Sequence, residues 1–333
     1  MKTTVEFTGE FTEHTRNKDD KVLERKEVLR KLAMSKQLNF LIGSGASFPA
    51  IPLMSKVEGK DKNEKNQKLL NKIREVSKSI ISADEEAKEN DEETKKNLSV
   101  LKSYENFILA VSDVLNNANS RQTPREATIF TTNYDLFIEK ALDSVLENTS
   151  LVFNDGARGY FNRYLDGSNY NKAVSYRGLN NNYIDELPSL SLIKPHGSVN
   201  WKRVPNDKII IKNEVVDDPV VVPPTGYEDE ETFLNNHFHD MLRIFQLELD
   251  KPQSVLFVIG FSFQDKHIGK MISRALKNRE LVIECFCHDN NAKEDISKNL
   301  GMKPGNLKLI TPKELGEEEL TLDSLTKVLK GDN

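Results

Sequence analysis

Cysteine is almost absent from this sequence, and long apolar runs are missing. The 333 residues include only Cys285 and Cys287, too few for a disulfide framework. No stretch approaches the roughly 20 apolar residues that a membrane-spanning helix needs. Near the start, no apolar run follows a basic segment as it does in a secretory signal. We therefore expect a cytoplasmic protein without membrane association.

A basic excess is also lacking. Lys and Arg total 47 against 52 for Asp and Glu, so the formal net charge is -5. Proteins that wrap nucleic acid normally carry a basic surface, so direct nucleic-acid binding is not supported, although a local basic patch is compatible with these totals. The length suffices for one large α/β domain or for two smaller ones.

The apolar pattern predicts strands that alternate with helices. Strand candidates lie at 38–42, 127–131, 191–194, 254–259 and 281–286. Helical spacing occurs at 20–36, 136–146, 233–249 and 268–276. Such alternation is typical of a doubly wound, mostly parallel, Rossmann-like α/β sheet. Residues between 153 and 190 lack periodicity and are predicted as loop.

Composition divides the chain further. Residues 1–36 are mostly charged and are predicted as an N-terminal helical, polar segment, and residues 37–330 as one α/β domain. Inside that domain, residues 56–99 are rich in Lys, Glu, Asp and Asn, and helical spacing resumes near Tyr104. We predict a helical, polar insertion over 56–125, either as solvated helices or as a mobile lid.

Four strand ends carry glycine or polar residues. These segments are Gly43-Ser44-Gly45-Ala46-Ser47, Thr132-Asn133-Tyr134-Asp135, Lys194-Pro195-His196-Gly197-Ser198, and Gly260-Phe261-Ser262-Phe263-Gln264-Asp265. Ligands of open α/β sheets bind outside the carboxyl ends of the strands, so we expect the four segments to form one cleft. Closely spaced glycines after a strand let the backbone approach a phosphate, although they also occur in simple tight turns.

Three polar residues in these segments are candidates for a role at the cleft. Asn133 can orient a ligand or water, and it can equally cap the following helix. His196 can exchange protons near neutral pH. Asp265 precedes a predicted helix, which it can cap, or it can contact a ribose hydroxyl.

In this order, the four segments resemble the sirtuin-like family of NAD-binding proteins. Gly43 to Ser47 followed by Ile51-Pro52 is similar to the family's glycine-rich loop, and Thr132-Asn133-Tyr134-Asp135 to its Thr-x-Asn-x-Asp motif. His196-Gly197-Ser198 resembles its His-Gly segment, and Gly260-Phe261-Ser262 its late glycine turn. The resemblance extends from about residue 38 to about residue 290.

The resemblance implies a role for each matched position. Asn133 and His196 would be catalytic, with Asn133 placing the nicotinamide ribose or a water and His196 acting as general base. The remaining matched positions would bind NAD: Gly43, Ser44, Gly45, Ala46, Ser47, Thr132, Asp135, Gly260, Ser262 and Asp265.

The sequence also departs from the family. Protein-deacylating sirtuins carry a four-cysteine zinc module, whereas Cys285 and Cys287 alone cannot close a tetrahedral site. We therefore expect no zinc module and no bound metal, and we interpret the two thiols as core residues. Leu53-Met54-Ser55 stands where the family has Phe-Arg, which argues against a peptide-binding groove.

The variant motifs resemble a bacterial sirtuin-like branch that acts in antiphage defence. This resemblance implies an NAD glycohydrolase that depletes NAD during abortive infection. It also implies a homo-oligomer whose regulator is a separate protein, a HerA-type ATPase or an Argonaute-type protein, because the chain ends soon after the catalytic core. An NAD-dependent deacylase or ADP-ribosyl transferase, and a non-enzymatic NAD-binding sensor or scaffold, remain open as alternatives.

Overall fold

A seven-stranded parallel sheet forms the centre of the protein. The computed structural model describes residues 18–82, 91–117, 124–176, 186–223, 236–301 and 305–331. Parts of four predicted segments therefore lie outside the described residues. They are positions 1–17 of the N-terminal segment, 83–90 and 118–123 of the insertion, 177–185 of the predicted loop, and 233–235 of one predicted helix.

The elements follow one another along the chain as a mixture of strands and helices. The strands are β1 (Gln37–Ile42), β2 (Glu126–Thr131), β3 (Val152–Asn154), β4 (Ala157–Arg158), β5 (Tyr164–Leu165), β6 (Ser189–Ile193), β7 (Trp201–Val204), β8 (Lys208–Ile211), β9 (Ser254–Ile259), β10 (Val282–Phe286) and β11 (Leu307–Ile310). The helices are α1 (Lys18–Ser35), α2 (Lys62–Ser82), α3 (Glu92–Asn117), α4 (Phe137–Leu146), α5 (Asn236–Asp250), α6 (Lys266–Ala275), α7 (Asn290–Leu300), α8 (Pro312–Leu315) and α9 (Leu322–Lys330).

The strand order of the main sheet is β11-β10-β9-β1-β2-β6-β3, and its six pairings are parallel. The predicted doubly wound, parallel α/β fold is confirmed. Strands β2, β6 and β3 lie on one side of β1, whereas β9 to β11 lie on the other. The order therefore reverses at β1, the position where open α/β sheets bind ligands.

Both faces of the sheet are buried, because successive side chains of each strand point to opposite faces. On β1, Phe40 and Ile42 join one hydrophobic cluster with residues of α1, α3, α4 and α9. Leu41 joins a second cluster with residues of α5, α6 and α7. All six residues of β1 and of β9 are buried, as expected for strands covered on both sides.

The described part of the predicted insertion consists of α2 and α3. Both helices are amphipathic, and each buries one face against the domain. The buried residues of α2 are Leu69, Ile73, Val76, Ser77 and Ile80. Helix α3 packs against α4 and α9, and its buried face includes Tyr104 and Phe107. The insertion is therefore part of the hydrophobic core and not a layer of fully solvated helices.

A second, antiparallel sheet with the order β4-β5-β8-β7 was not predicted. Its strands are two to four residues long, too short for alternation to reveal them in the sequence. Strand β3 of the main sheet was missed for the same reason. In the part of the chain that the structure describes, no helix is long and apolar enough to cross a membrane.

The loop after β1 packs directly against the turn after β9. Gly43 N donates to Ile259 O and Gly45 N to Gly260 O, both at 2.9 Å. A Cβ on Gly43 would overlap the Gly260 carbonyl oxygen, and one on Gly260 would lie 2.5 Å from Ala46 N. Gly260 also has a φ of +66°, which glycine adopts without strain. The glycines thus allow two backbone segments to touch.

We predict that Gly43→Ala lowers the free energy of unfolding by roughly 1–3 kcal/mol, because the methyl group would force the two loops apart. Urea unfolding followed by circular dichroism measures this change. Gly305→Ala is the matched control, since its Cβ would meet no atom of the described residues within 4 Å. Equal stability losses in the two variants would contradict the close-packing explanation.

Candidate active site

The four predicted segments meet in one cavity of about 310 Å³ at the carboxyl ends of β1, β2, β6 and β9. This volume lies at the lower end of the range for small-molecule sites. The lining residues are Ser44, Ser47, Ile51, Pro52, Met54, Leu69, Ile73, Thr132, Asn133, Tyr134, Asp135, His196, Phe261, Gln264 and Asp265. Both predicted catalytic residues, Asn133 and His196, therefore lie at the same cavity.

Asn133 is held in one orientation by its side-chain nitrogen. Asn133 Nδ2 donates to Gly43 O and to Ser47 Oγ, each at 3.2 Å. A carbonyl oxygen can only accept, so the Gly43 contact fixes which end of the amide is nitrogen. The opposite atom, Asn133 Oδ1, is buried and has no hydrogen-bond partner among the residues that the structure describes. Asn133 belongs to the cavity lining, and a ligand that reached this oxygen would give it the partner that buried acceptors normally have.

His196 pairs with an acidic residue from the β9 side of the cavity. Its Nε2 lies 3.1 Å from Asp265 Oδ2, and both side chains are about nine-tenths buried. Asp265 uses its other oxygen, Oδ1, to accept from His267 N and Ile268 N at the start of α6. The helix therefore fixes the carboxylate, and the carboxylate orients the imidazole. The capping role predicted for Asp265 is present together with this second contact.

Beneath the cavity, Lys194 joins the loops after β2 and β6. Its Nζ donates to Asp135 O at 2.6 Å, to Glu139 Oε1 at 2.8 Å and to Ser198 Oγ at 3.0 Å. Burial raises the pKa of the Asp135 and Glu139 carboxyls, and the Lys194 charge opposes that rise in both. Three donated hydrogen bonds satisfy the buried ammonium and link the segment that carries His196 to Asp135, two residues after Asn133.

The glycine loop contributes to the cavity mainly through its two serines. Ser44 and Ser47 belong to the lining, and they begin and end a short 3₁₀ helix. The amides of Gly43, Gly45 and Ala46 already donate to carbonyls of the protein. Contact of these three residues with NAD remains a prediction. Their observed role is to bring the loops after β1 and β9 together.

The other predicted NAD contacts are divided between the cavity and its surroundings. Thr132, Asp135 and Asp265 line the cavity. Gly260 and Ser262 are not among its lining residues, and Ser262 instead accepts from Asn299 Nδ2 through its carbonyl at 2.8 Å. On this side of the cavity the lining consists of Phe261, Gln264 and Asp265.

One wall of the cavity is apolar, and the sequence did not predict all of it. Ile51 and Met54 come from the segment after the glycine loop, and Leu69 and Ile73 come from α2 of the insertion. Leu69 and Ile73 are four residues apart and therefore share one helix face. Their helical spacing was a usable signal, but only the tertiary structure places that face against the site.

The two cysteines are free and buried among the apolar residues next to α5, α6 and α7. The hydrogen bond with Cys287 raises the pKa of the Cys285 thiol well above its ordinary value, and burial is the second cause of this rise. Within the described ranges, no three His, Cys, Asp or Glu residues are grouped to hold a metal ion. Packing in the core accounts for both thiols.

Comparison with known protein families identifies this arrangement. The family model of the SIR2-like domain matches residues 127–298, which run from β2 into α7 and include Asn133, His196 and Asp265. The chain belongs to the SIR2-like domain family. Among curated proteins, none matches the sequence. SIR2-like domains bind NAD and generally act in NAD-dependent reactions, so the function of this SIR2-like protein is related to NAD.

We predict that Lys194→Met destabilises the protein by roughly 2–4 kcal/mol, because it leaves Glu139 buried without its cation. This loss of stability is smaller than the loss expected for a fully buried ion pair, because the Glu139 side chain is 22 % exposed. Chemical denaturation measures the change. The double variant Lys194→Met/Glu139→Leu should recover most of the loss. A single variant as stable as wild type would contradict the assigned network.

Proposed function

We propose that this SIR2-like protein is an NAD glycohydrolase that cleaves NAD to nicotinamide and ADP-ribose. The observation that carries the proposal is the unsatisfied Oδ1 of Asn133, at the same cavity as the His196–Asp265 pair. The cavity thus combines a fixed hydrogen-bond acceptor with a base. Hydrolysis of an N-glycosidic bond requires both, to place a water and to take its proton.

The proposed reaction balances without a further reagent. The bond between the ribose carbon and the nicotinamide nitrogen breaks, and its electron pair neutralises the pyridinium nitrogen. Water forms the new bond to the ribose carbon, and its proton passes to His196 and then to solvent. Asn133 Oδ1 accepts from the water or from a ribose hydroxyl. Asp265 orients the His196 ring.

The apolar wall supports the same assignment. Ile51, Met54, Leu69 and Ile73 offer little hydrogen bonding and suit a flat aromatic ring such as nicotinamide. An apolar wall also excludes bulk water, which strengthens electrostatic interactions inside the cavity. The polar residues then lie on the side where bond cleavage takes place.

We further propose that this activity serves antiphage defence by depleting NAD during abortive infection. The support is the resemblance of Thr131-Thr132-Asn133-Tyr134-Asp135 and of Gly260-Phe261-Ser262-Phe263-Gln264-Asp265 to motifs of that bacterial branch. A homo-oligomer regulated by a separate protein, either a HerA-type ATPase or an Argonaute-type protein, belongs to the same proposal.

The direct test is turnover of NAD by the purified protein, alone and with a HerA-type ATPase. We predict that Asn133→Ala and His196→Ala each lower kcat at least about 100-fold, the lower end of the contribution of a positioned acid–base group. Asn200→Ala is the matched control for Asn133. It too is a buried asparagine with one anchored nitrogen and an unpartnered oxygen, but it lies outside the cavity lining.

Other products would identify the alternatives. Release of acetyl-ADP-ribose from an acetylated peptide, without free ADP-ribose, would contradict the proposed glycohydrolase activity and identify the protein as a deacylase. ADP-ribose transferred to a protein would indicate a transferase. NAD binding without turnover under every condition would indicate a sensor or scaffold.

A second prediction concerns Asp265. We expect Asp265→Asn to lower kcat at least about 10-fold, because the charge that orients His196 is lost. Asparagine caps helices as well as aspartate does, so α6 should remain intact and the melting temperature should change little. Asp289→Asn, at the N-terminus of α7, is the control cap. An unchanged kcat in Asp265→Asn would remove Asp265 from the mechanism.

A further inference from the structure

A tyrosine from the insertion reaches the base of the active site. Tyr104 lies on α3, is fully buried, and its ring stacks on Phe137 of α4 with ring centroids 5.5 Å apart. Its hydroxyl lies 3.0 Å from Ser47 Oγ. The ring is therefore part of the core, whereas the hydroxyl contacts the residue that anchors Asn133.

The hydrogen bonds of Ser47 determine the direction of this contact. A serine hydroxyl has one hydrogen to donate and two lone pairs to accept with. Ser47 Oγ donates to Asp135 Oδ2 at 2.9 Å and accepts from Asn133 Nδ2 at 3.2 Å. The remaining lone pair accepts from the Tyr104 hydroxyl. Ser47 is then fully satisfied, and each partner restricts its rotation.

Tyr104 stays a donor throughout the neutral range. Burial raises the pKa of Tyr104 well above its ordinary value, and the charge of Asp135 raises it further. The nearby Ser47 hydroxyl and Asn133 amide act in the opposite direction but are smaller effects than burial. The phenol therefore keeps its proton and supplies it to Ser47.

We propose that Tyr104 is a positioning residue that fixes the side-chain amide of Asn133 through Ser47. This inference rests on the proposed function of Asn133 in NAD cleavage. Without the Tyr104 hydroxyl, Ser47 keeps Asp135 and Asn133 as partners but loses the third contact that restricts its rotation, so it holds Asn133 Nδ2 less firmly. The amide can then rotate, so that Oδ1 no longer faces its ligand. The insertion would thus supply a part of the catalytic geometry.

The test is Tyr104→Phe, which removes one oxygen and keeps the ring on Phe137. Tyr170→Phe is the matched control, because Tyr170 is also buried and its hydroxyl lies 2.8 Å from Asp155 O and 2.9 Å from Leu192 O, outside the cavity lining. Both variants lose a buried hydroxyl, so both should lose similar stability.

We predict that Tyr104→Phe lowers kcat for NAD about 5- to 10-fold, the equivalent of one hydrogen bond, with KM changed less than about twofold. Tyr170→Phe should leave both constants unchanged. A rise in KM with an unchanged kcat, or an equal loss of kcat in both variants, would overturn the positioning role, since a purely structural effect would not single out Tyr104.

A readout without NAD separates this inference from the proposed function. The two side-chain amide protons of Asn133 are hydrogen-bonded and buried, so their exchange with solvent should be slow in wild type. Nuclear magnetic resonance should find faster exchange in Tyr104→Phe and not in Tyr170→Phe. Absence of NAD cleavage in wild type would refute only the proposed function. Unchanged Asn133 exchange in Tyr104→Phe would refute the positioning role.

Discussion

Direct contact between the loop after β1 and the turn after β9 is the constraint on which the site depends. These two strands lie side by side in space but more than 200 residues apart in sequence. Because Gly43, Gly45 and Gly260 have no side chains, the two backbones approach to hydrogen-bonding distance. That approach places the segment with Asp265 opposite the segment with His196. A side chain at any of the three glycines would separate the walls of the cavity.

Beneath the cavity, buried polar residues serve stability and function together. Lys194 fastens the backbone of the loops that carry Asn133 and His196, and Ser47 links Asn133 to Asp135 and Tyr104. Buried polar groups destabilise a protein unless each one has a partner. Among the described residues of this region, two buried side-chain oxygens have no hydrogen-bond partner, Glu139 Oε2 and Asn133 Oδ1. Of these two residues, Asn133 lines the cavity and Glu139 does not.

Helices α2 and α3 connect the insertion to this site in two different ways. Helix α2 contributes Leu69 and Ile73 to the apolar wall, and α3 contributes the Tyr104 hydroxyl beneath Asn133. A change in the position of either helix would alter the shape of the cavity or the orientation of the amide. If the regulatory partner proposed above shifted the insertion, it would also shift the residues proposed to act in catalysis.

The sequence by itself determined the parallel α/β fold and the residues after the strands β1, β2, β6 and β9, because apolar periodicity and glycine or polar strand ends are local properties of the chain. The sequence also identified Asn133 and His196 as candidate catalytic residues, because each lies in a motif of consecutive residues. Only the tertiary structure decided that Asp265 pairs with His196, that Lys194 joins two loops, and that Tyr104 reaches Ser47. Each of these three contacts joins residues that are 57 to 69 positions apart in the sequence. No periodicity encodes such pairs, because packing of the helices and loops around the sheet creates them.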